Sequence, residues 1–335
     1  MVRLCCRRVA GVFQACARPA ALAGGTAAVH NSAMSKPALL VHPPLGLFEL
    51  RLTNYEVVHW PTERKDIRAA VTIGSVGLTN AMIDALPELG CIACFGVGVD
   101  GIDLDYAAKR GVAVSHGRDI NHEDVADVAI GLMIARLRLF TEGERVLRAD
   151  QWTPPLAVPP QKRLRGRKVG VVGLGAIGKA IAHRAAAFGM EIKWYGPRAK
   201  ADAAYAYEPD LLKLAEWCDV LMVAARGDKT TEGIISADVI KAVGGDGIIV
   251  NISRGSVIDE DALIAALKAG ALGGAGLDVF AEEPTPAARW ADVPNTTLTP
   301  HLGGATREAL FEGSQNVLEN LRRFYAGEAL LTAVG

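Results

Sequence analysis

The chain has 335 residues, which is more than one hydrophobic core usually serves, so two domains are expected. Lys and Arg number 36 against 37 Asp and Glu, and this near-zero net charge gives no electrostatic reason to expect a nucleic acid or an anionic membrane surface as a partner. Half of the residues are apolar, yet no apolar run reaches the roughly 18 residues that would span a bilayer. The composition therefore predicts a folded protein without a nucleic-acid or membrane partner.

The first 36 residues differ in composition from the rest of the chain. They contain four arginines and no acid, and the first carboxylate of the chain is Glu49. This composition is typical of a mitochondrial transit peptide. We favour a second interpretation, a disordered extension in front of a start at Met34, because the stretch lacks a sustained amphipathic period that carries its arginines. The predicted location is therefore cytoplasmic, or mitochondrial if residues 1–33 are a transit peptide.

From residue 38 to residue 117, short apolar strands alternate with helical patterns. The strand patterns are, in chain order, ALLVHP, EVVHW, AAVTIGS, CIACFGV and VAVSHG, and the helical patterns are TNAMIDALPEL and DLDYAAKRG. This alternation predicts a parallel sheet that helices cover.

Two cysteines in the fourth of these strands, Cys91 and Cys94, have the CxxC spacing of some metal sites. No second cysteine pair and no nearby histidine completes a set of ligands. Residues three apart on a strand also face opposite sides, so the two thiols cannot hold one ion. We predict buried, reduced thiols and no metal site.

A long helix is predicted from about His122 to Ala149, and the Pro-rich segment 153–160 follows it. A second alternating series begins at KVGVVGL and continues through the strands EIKWYG, VLMVAA, GIIVNIS and AGLDVF to LTPH. The helices of this series are expected around 176–188, 209–217, 236–243 and 259–269, with a last helix at 305–326.

The last helix is long enough to pack back on the first half of the chain. We therefore predict an α/β fold of two Rossmann-like or flavodoxin-like domains with parallel sheets, in which the nucleotide domain is inserted into the substrate domain. The substrate domain would comprise 37–120 and 303–335, and the nucleotide domain 121–302.

The segment VVGLGAIG places Gly173, Gly175 and Gly178 in the frame G-x-G-x-x-G, after a strand and before a helix that opens at Ala176. In a dinucleotide site the first Gly permits the turn, the second admits the pyrophosphate, and the third lets helix and strand pack closely. The free N–H groups at the start of the helix then bind the phosphates. The strand before and the helix after make a chance match the weaker interpretation.

The next strand, EIKWYG, does not end in the acid that usually binds the ribose 2′-hydroxyl of NAD. It runs into a loop with Arg198 and Lys200, and Arg198 lies 20 positions after Gly178. Arg binds phosphate bidentately, so this loop indicates the 2′-phosphate of NADP, although a solvated surface loop would carry the same residues. We predict NADP, with NADPH preferred and NAD possible.

Three side chains each follow a predicted strand: Arg254 in NISRG, Glu283 in LDVFAEEP and His301 in TPHLGG. Imidazole titrates near neutrality and suits a reversible acid and base, a carboxylate can orient it, and a guanidinium can hold a substrate carboxylate. Taken singly, each residue more often has a structural role, with Glu282 as an alternative acid and Asp259 as an alternative partner of Arg254. Their joint occurrence after the Gly-rich turn predicts a reduction site.

Six motifs in order, FGVGVDGIDL, HEDVADVAIGLM, VGLGAIG, NISRG, LDVFAEEP and TPHLGGAT, give a resemblance to a known family. From about residue 38 to 330 the chain resembles the D-isomer-specific 2-hydroxyacid dehydrogenases, above all the glyoxylate/hydroxypyruvate reductase and hydroxyphenylpyruvate reductase branch. The resemblance implies a homodimer that reduces glyoxylate, hydroxypyruvate or hydroxyphenylpyruvate to D-2-hydroxyacids with a nicotinamide cofactor.

The resemblance also implies roles for individual residues. His301 would be the acid and base, Glu283, which directly precedes Pro, its partner, and Arg254 the group that holds the substrate carboxylate. The substrate would also contact Val76, Gly77 and the backbone amides of Val97 and Gly98. The cofactor would contact Gly173, Gly175, Ala176, Ile177, Gly178, Arg198, Lys200, Ala225, Ile252, Ser253, Asp278 and Gly303.

Two other functions stay open at this point. One is a phosphoglycerate dehydrogenase-like enzyme, which the missing strand-end acid disfavours. The other is a nucleotide-sensing corepressor with the same fold, which an intact set of Arg254, Glu283 and His301 does not exclude. Consumption of NADPH with 2-keto acids would separate the enzyme from the corepressor.

Overall fold

The computed structural model of the chain describes residues 36–334. The predictions for the N-terminal extension, a transit peptide or a disordered tail, therefore lie outside the described residues. Within 36–334, no helix combines the length and the hydropathy that a bilayer crossing requires.

The first sheet is formed by five parallel strands in the order β2-β1-β3-β4-β5. The elements of this part are β1 (Ala38–Val41), β2 (Glu56–His59), β3 (Ala69–Ile73), α1 (Asn80–Ala85), β4 (Cys91–Phe95), α2 (Leu104–Lys109) and β5 (Ala113–Ser115), with a 3-10 helix at Gly46–Arg51. Thr79 and Asp103 cap α1 and α2 by accepting a backbone N–H of the first turn. All five strands predicted for this part are confirmed.

The long helix predicted from His122 to Ala149 is wrong in one respect, because two helices occupy this range: α3 (His122–Leu137) and α4 (Phe140–Arg148). Leu139 between them has left-handed backbone, with φ of 53°. The buried guanidinium of Arg136 forms an ion pair with Glu142, six positions further on. Six residues of one straight helix span about 9 Å and end on a different face, so this pair requires the chain to turn.

The second sheet has seven parallel strands in the order β12-β11-β10-β9-β6-β7-β8. Its elements are β6 (Lys168–Val172), α5 (Ala176–Ala187), β7 (Glu191–Tyr195), β8 (Ala206–Tyr207), α6 (Leu211–Trp217), β9 (Val220–Val223), α7 (Ala237–Val243), β10 (Ile248–Asn251), α8 (Glu260–Lys268), β11 (Gly274–Leu277), α9 (Ala287–Trp290) and β12 (Thr296–Leu298), with a 3-10 helix at Gly255–Val257. The α/β fold with two parallel sheets is thus confirmed. The short elements β8 and α9 were not predicted.

The last helix, α10 (Arg307–Ala326), packs on the first sheet. Its Val317 and Leu321 are buried in one apolar cluster with Leu39 of β1 and Val71 of β3. The chain then pairs antiparallel with the end of β5 through Ala333 and Ser115. Residues from Pro37 onward form one compact unit, so the domain boundaries 37–120, 121–302 and 303–335 stay a prediction.

Cys91 and Cys94 are buried and unpaired, and they lie in different apolar clusters on opposite faces of the first sheet. The strand-based prediction of their placement is confirmed. Burial disfavours the charged thiolate and raises the pKa of each thiol to about 12.

Candidate active site

The strands before Arg254, Glu283 and His301 are neighbours in the second sheet. Arg254 follows β10, Glu283 follows β11 and His301 follows β12, and these three strands pair in parallel. Because the carboxyl ends of parallel strands meet at one edge, the three side chains start from the same edge of the sheet.

His301 and Glu283 form a hydrogen-bonded pair. The imidazole Nδ1 lies 2.7 Å from Glu283 Oε2, and Glu283 Oε1 accepts the N–H of Phe280 at 3.0 Å. The carboxylate is therefore held by its own loop and in turn holds one ring nitrogen of His301. The other ring nitrogen, Nε2, is left to exchange a proton with a ligand. Glu282 makes no hydrogen bond to any residue within 36–334, so Glu283 is the acid that the geometry selects.

The turn that carries His301 is organised by the buried carboxylate of Asp278. This carboxylate accepts the Thr299 hydroxyl at 2.6 Å and the backbone N–H groups of Leu302 at 2.7 Å and Gly303 at 2.8 Å. His301 itself has left-handed backbone, with φ of 54°, and donates its N–H to the Asp278 carbonyl. Asp278 thus positions His301 from within the chain, and its predicted contact with the nicotinamide carboxamide stays a prediction.

Arg254 is anchored by a residue of the other sheet. Its Nε and Nη2 both donate to Oδ2 of Asp100, at 2.8 and 2.7 Å, and its Nη1 donates to the Ser253 carbonyl at 2.7 Å. Asp100 lies in the loop after β4, so this contact joins loops at the carboxyl ends of strands of the two sheets. Asp259, the alternative partner considered above, instead caps α8 by accepting the N–H of Ala262.

The Val97–Gly98 segment borders the guanidinium of Arg254. A Cβ added to Gly98 would lie 2.3 Å from Arg254 Nη2, so a larger residue there would displace the guanidinium. Within the described part of the chain, the N–H groups of Val97 and Gly98 donate to no acceptor. Two amides and a guanidinium therefore adjoin one space, which is what a carboxylate ligand requires.

The loop that carries Arg254 packs closely against the loop that carries Glu283. A Cβ on Gly255 would lie 1.9 Å from the carbonyl carbon of Phe280, and Phe280 bonds Glu283. The structure thus brings Arg254 and the His301–Glu283 pair onto adjoining loops. No hydrogen bond joins the guanidinium and the imidazole directly in residues 36–334.

The loop after β3 completes the first-sheet side of this edge. Val76 is exposed, and a Cβ on Gly77 would lie 1.8 Å from the carbonyl oxygen of Gly101 in the loop after β4. The two predicted substrate residues therefore lie beside the loop that holds Asp100.

The Gly-rich turn has the geometry that a dinucleotide site needs. Gly173 has φ of 92° and no room for a Cβ, which would lie 2.7 Å from Ala225 Cα, and a Cβ on Gly178 would lie 2.0 Å from the Gly173 carbonyl oxygen. Gly175 instead faces open space, since a Cβ added there would meet no heavy atom within 4 Å. Within residues 36–334 no side chain caps α5, whose first helical hydrogen bond is Lys179 N–H to the Gly175 carbonyl at 2.9 Å. The amides of Ala176 and Ile177 therefore have no acceptor among the described residues, and the residues present fit a dinucleotide.

The remaining predicted cofactor residues lie along the same edge of the second sheet. Ala225 touches the Gly-rich turn, Ile252 and Ser253 are buried after β10, and Gly303 packs against Asp278. Their contacts with a cofactor stay predictions.

The two cations predicted to bind the cofactor in the loop after β7, Arg198 and Lys200, differ in their contacts. Lys200 Nζ donates to the Leu174 carbonyl at 2.6 Å and so ties this loop to the Gly-rich turn. Arg198 is exposed and has no hydrogen-bond or ion-pair partner within residues 36–334. The acid of this loop, Asp202, bonds Lys179 at 3.3 Å, and that bond lowers the pKa of its carboxyl group. Of the charged side chains in this loop, Arg198 is therefore the one without a partner among the described residues, and it could bind a phosphate.

Two contributors to the site were not predicted: Asp100 and His116, whose Nδ1 lies 2.9 Å from the Val97 carbonyl oxygen. Asp100 stands two positions after Gly98 in FGVGVDG, and an acid so near the anion-binding glycine was a usable signal. No group of three or more metal-ligating side chains occurs among the residues that the structure describes.

Comparisons with known proteins show which family this chain resembles. A family model described as D-isomer specific 2-hydroxyacid dehydrogenase, NAD binding domain, matches residues 130–303. The 2-ketogluconate reductase of Gluconobacter oxydans is 38% identical over 308 residues, which cover 90% of this chain and 99% of that protein. The glyoxylate/hydroxypyruvate reductase A of Arabidopsis thaliana is 40% identical over 273 residues, 82% of this chain and 87% of that protein.

A solved structure shows the same arrangement of elements. The NADPH-dependent glyoxylate/hydroxypyruvate reductase of Sinorhizobium meliloti, in complex with NADP and malonate, superposes with a TM-score of 0.83 at 36% identity. The match covers 90% of this chain and 97% of that one.

Proposed function

Since this chain belongs to the D-isomer specific 2-hydroxyacid dehydrogenase family, we propose that it reduces small 2-keto acids to D-2-hydroxyacids with NADPH. The family membership inferred from the six motifs is confirmed, and the chain is an NAD(P)-dependent oxidoreductase. The observation that carries the proposed reaction is the pairing of His301 with Glu283 beside the Arg254 site.

Each side chain has one task in the proposed reaction. A bound nicotinamide supplies hydride to the carbonyl carbon. His301 donates a proton from Nε2 to the carbonyl oxygen, because Nδ1 is held by Glu283. Arg254 and the amides of Val97 and Gly98 bind the substrate carboxylate, which fixes the carbonyl beside the imidazole.

Substrates of the proposed enzyme are glyoxylate, hydroxypyruvate and hydroxyphenylpyruvate. Relatives that match most of this chain are named for glyoxylate, hydroxypyruvate and 2-ketogluconate, which supports a site for a 2-keto acid with variable side chains. A carboxylate next to a ketone is the part these molecules share, and it is the part that Arg254 would recognise.

The preference for NADPH rests on Arg198. An exposed guanidinium without a partner among the described residues follows β7, and the acid of the same loop is engaged by Lys179. This arrangement favours a 2′-phosphate over a bare ribose hydroxyl. NADH is proposed as a weaker second cofactor.

The deciding experiment is a panel on the purified full chain. NADPH and NADH oxidation would be followed with glyoxylate, hydroxypyruvate, hydroxyphenylpyruvate, 2-ketogluconate and 3-phosphohydroxypyruvate, beside a His301→Gln control. We expect turnover of 2-keto acids by the wild type, chiefly with NADPH, and none by the control.

Two results would replace the proposal. Cofactor binding without turnover of any keto acid would favour the nucleotide-sensing corepressor. A strong preference for 3-phosphohydroxypyruvate with NADH would favour the phosphoglycerate dehydrogenase-like enzyme.

We also propose a homodimer, cytoplasmic location and the domain boundaries given above.

The dimer has a candidate interface on and after α4. Large apolar side chains are exposed there, namely Phe140, Leu147, Trp152 and Leu156, and their burial against a second copy would support the dimer. Light scattering on the purified chain would measure its mass in solution.

A further inference from the structure

Two hydrogen bonds from consecutive residues join the segment after β5 to the segment after β4. Gly117 donates its N–H to the Gly96 carbonyl at 2.6 Å, and His116 Nδ1 lies 2.9 Å from the Val97 carbonyl oxygen. A carbonyl oxygen only accepts, so His116 carries its hydrogen on Nδ1 and is the donor.

These two carbonyls belong to the peptide units whose N–H groups face the proposed substrate. The Gly96 carbonyl shares a peptide with the N–H of Val97, and the Val97 carbonyl shares one with the N–H of Gly98. In a trans peptide the C=O and N–H point in opposite directions. Holding both carbonyls from one side therefore aims both N–H groups to the other side.

Both N–H groups stay without an acceptor within residues 36–334, and the guanidinium of Arg254 borders Gly98. Successive N–H groups aimed into one concavity form an anion site. Such a site binds tightly only when its donors are held in place before the ligand arrives.

His116 is itself held on both sides. Its N–H donates to the Thr332 carbonyl at 3.1 Å, and its carbonyl accepts the Arg118 N–H at 3.0 Å. These two backbone hydrogen bonds fix the position of His116. Its imidazole can therefore hold the Val97–Gly98 peptide in place.

We propose that His116 is a positioning residue of the substrate-carboxylate site, because it fixes the Val97–Gly98 peptide whose N–H binds the carboxylate. This inference rests on the proposed function and adds to it a residue that touches neither substrate nor cofactor. A histidine that merely packs two loops together would affect stability without changing the affinity for anions.

The test compares three variants of His116 with a matched control. His116→Ala removes the ring, His116→Phe keeps a ring without a donor, and His116→Asn keeps an N–H near the position of Nδ1. The control is His183→Ala, on the exposed side of α5, where no hydrogen bond is lost among the described residues.

For the full chain we expect Ala and Phe to raise KM for the keto acid about three- to tenfold, the size of one lost hydrogen bond. The dissociation constant of oxamate from the NADPH complex, measured by calorimetry, should rise by the same factor. Asn should restore both values, and kcat, NADPH affinity and Tm should change far less. If Ala does not fold, Phe and Asn still make the comparison.

Unchanged KM and oxamate affinity in Ala and Phe would overturn the proposal, as would a loss confined to Tm or to NADPH affinity. The oxamate measurement needs no turnover, so it tests His116 even if the wild type reduces none of the keto acids and the proposed function fails. Absence of oxamate binding by the wild-type NADPH complex would overturn the anion site, and His116 with it.

Discussion

At the scale of the residue, Asp100 decides what Arg254 offers to a substrate. A guanidinium has five N–H donors, and Asp100 Oδ2 takes one from Nε and one from Nη2. The Ser253 carbonyl takes one from Nη1, so one N–H on each terminal nitrogen remains. Asp100 therefore leaves Arg254 able to bind a carboxylate but not free to rotate.

We expect Asp100→Ala to lower kcat/KM for 2-keto acids on the order of 10- to 100-fold, because a misplaced guanidinium no longer orients the carbonyl. Steady-state kinetics with saturating NADPH would measure the loss. Asp105→Asn, which removes a charge from the exposed face of α2, is the control. Wild-type kinetics for Asp100→Ala would show that Arg254 needs no anchor.

Arg198 gives a second prediction about a single side chain. Arg198→Ala should weaken NADPH binding about tenfold or more and leave NADH binding nearly unchanged, because only NADPH carries the 2′-phosphate. Fluorescence titration with each cofactor would measure both constants, and Lys241→Ala on the exposed side of α7 would control for the lost charge. An equal loss for both cofactors would contradict the assignment.

The sequence alone predicts the residues whose side-chain chemistry indicates a reaction. It does not predict the residues that hold them in place. His301, Glu283 and Arg254 each follow an apolar strand, and parallel strands bring such positions to one edge. Asp100 and His116 act on partners from other parts of the chain, Arg254 and Val97. The distance between such loops depends on how the elements pack, which local sequence patterns do not contain.

At the scale of the element, two glycines of the Gly-rich turn are required for different reasons, one for packing and one for the ligand. Gly178 is needed for packing, since its Cβ would lie 2.0 Å from the Gly173 carbonyl oxygen. Gly175 has ordinary backbone, with φ of −78°, and open space, so its requirement is the ligand rather than the fold.

We therefore expect Gly178→Ala to lower Tm markedly, since backbone must move to relieve the contact. Gly175→Ala should keep Tm near the wild-type value and weaken both NADPH and NADH. Both variants would be measured by thermal unfolding and by cofactor titration, and each variant is the control for the other. Equal effects of the two substitutions on Tm would contradict this division of roles.

The elements themselves were predictable where the apolar pattern is long. Every strand predicted from 38 to 117 is present, whereas β8 has only two residues and leaves too little pattern to detect. The break between α3 and α4 was not predictable, because RLRLF contains neither Gly nor Pro. The pairing of Arg136 with Glu142 accompanies the break, and this contact forms only once the chain has turned.

At the scale of the whole molecule, the last residues of the described chain pack against α10 and β5. Asn320 of α10 is fully buried, accepts the N–H of Leu331 at 2.9 Å and of Thr332 at 3.3 Å, and donates to the Asn316 carbonyl at 2.8 Å. Together with Asn316, which bonds the Thr332 hydroxyl at 3.2 Å, this amide holds the final segment against α10, and the final segment pairs with β5.

Asn320→Ala should lower the free energy of unfolding by about 1–3 kcal/mol, because the part-buried N–H groups of Leu331 and Thr332 lose their acceptor. Denaturant unfolding of this variant and of Gln315→Ala, an exposed change on the same helix, would measure the difference. A loss no larger than that of the control would mean that water replaces the amide at little cost.

The hydrogen bond from His116 to Thr332 has a practical consequence for handling this enzyme. A purification tag fused at the carboxyl terminus would start three residues beyond that carbonyl, and a shift of this segment would move His116 and the amides that we propose to bind the keto acid. Kinetic constants from tagged protein should therefore be checked after the tag has been cleaved off.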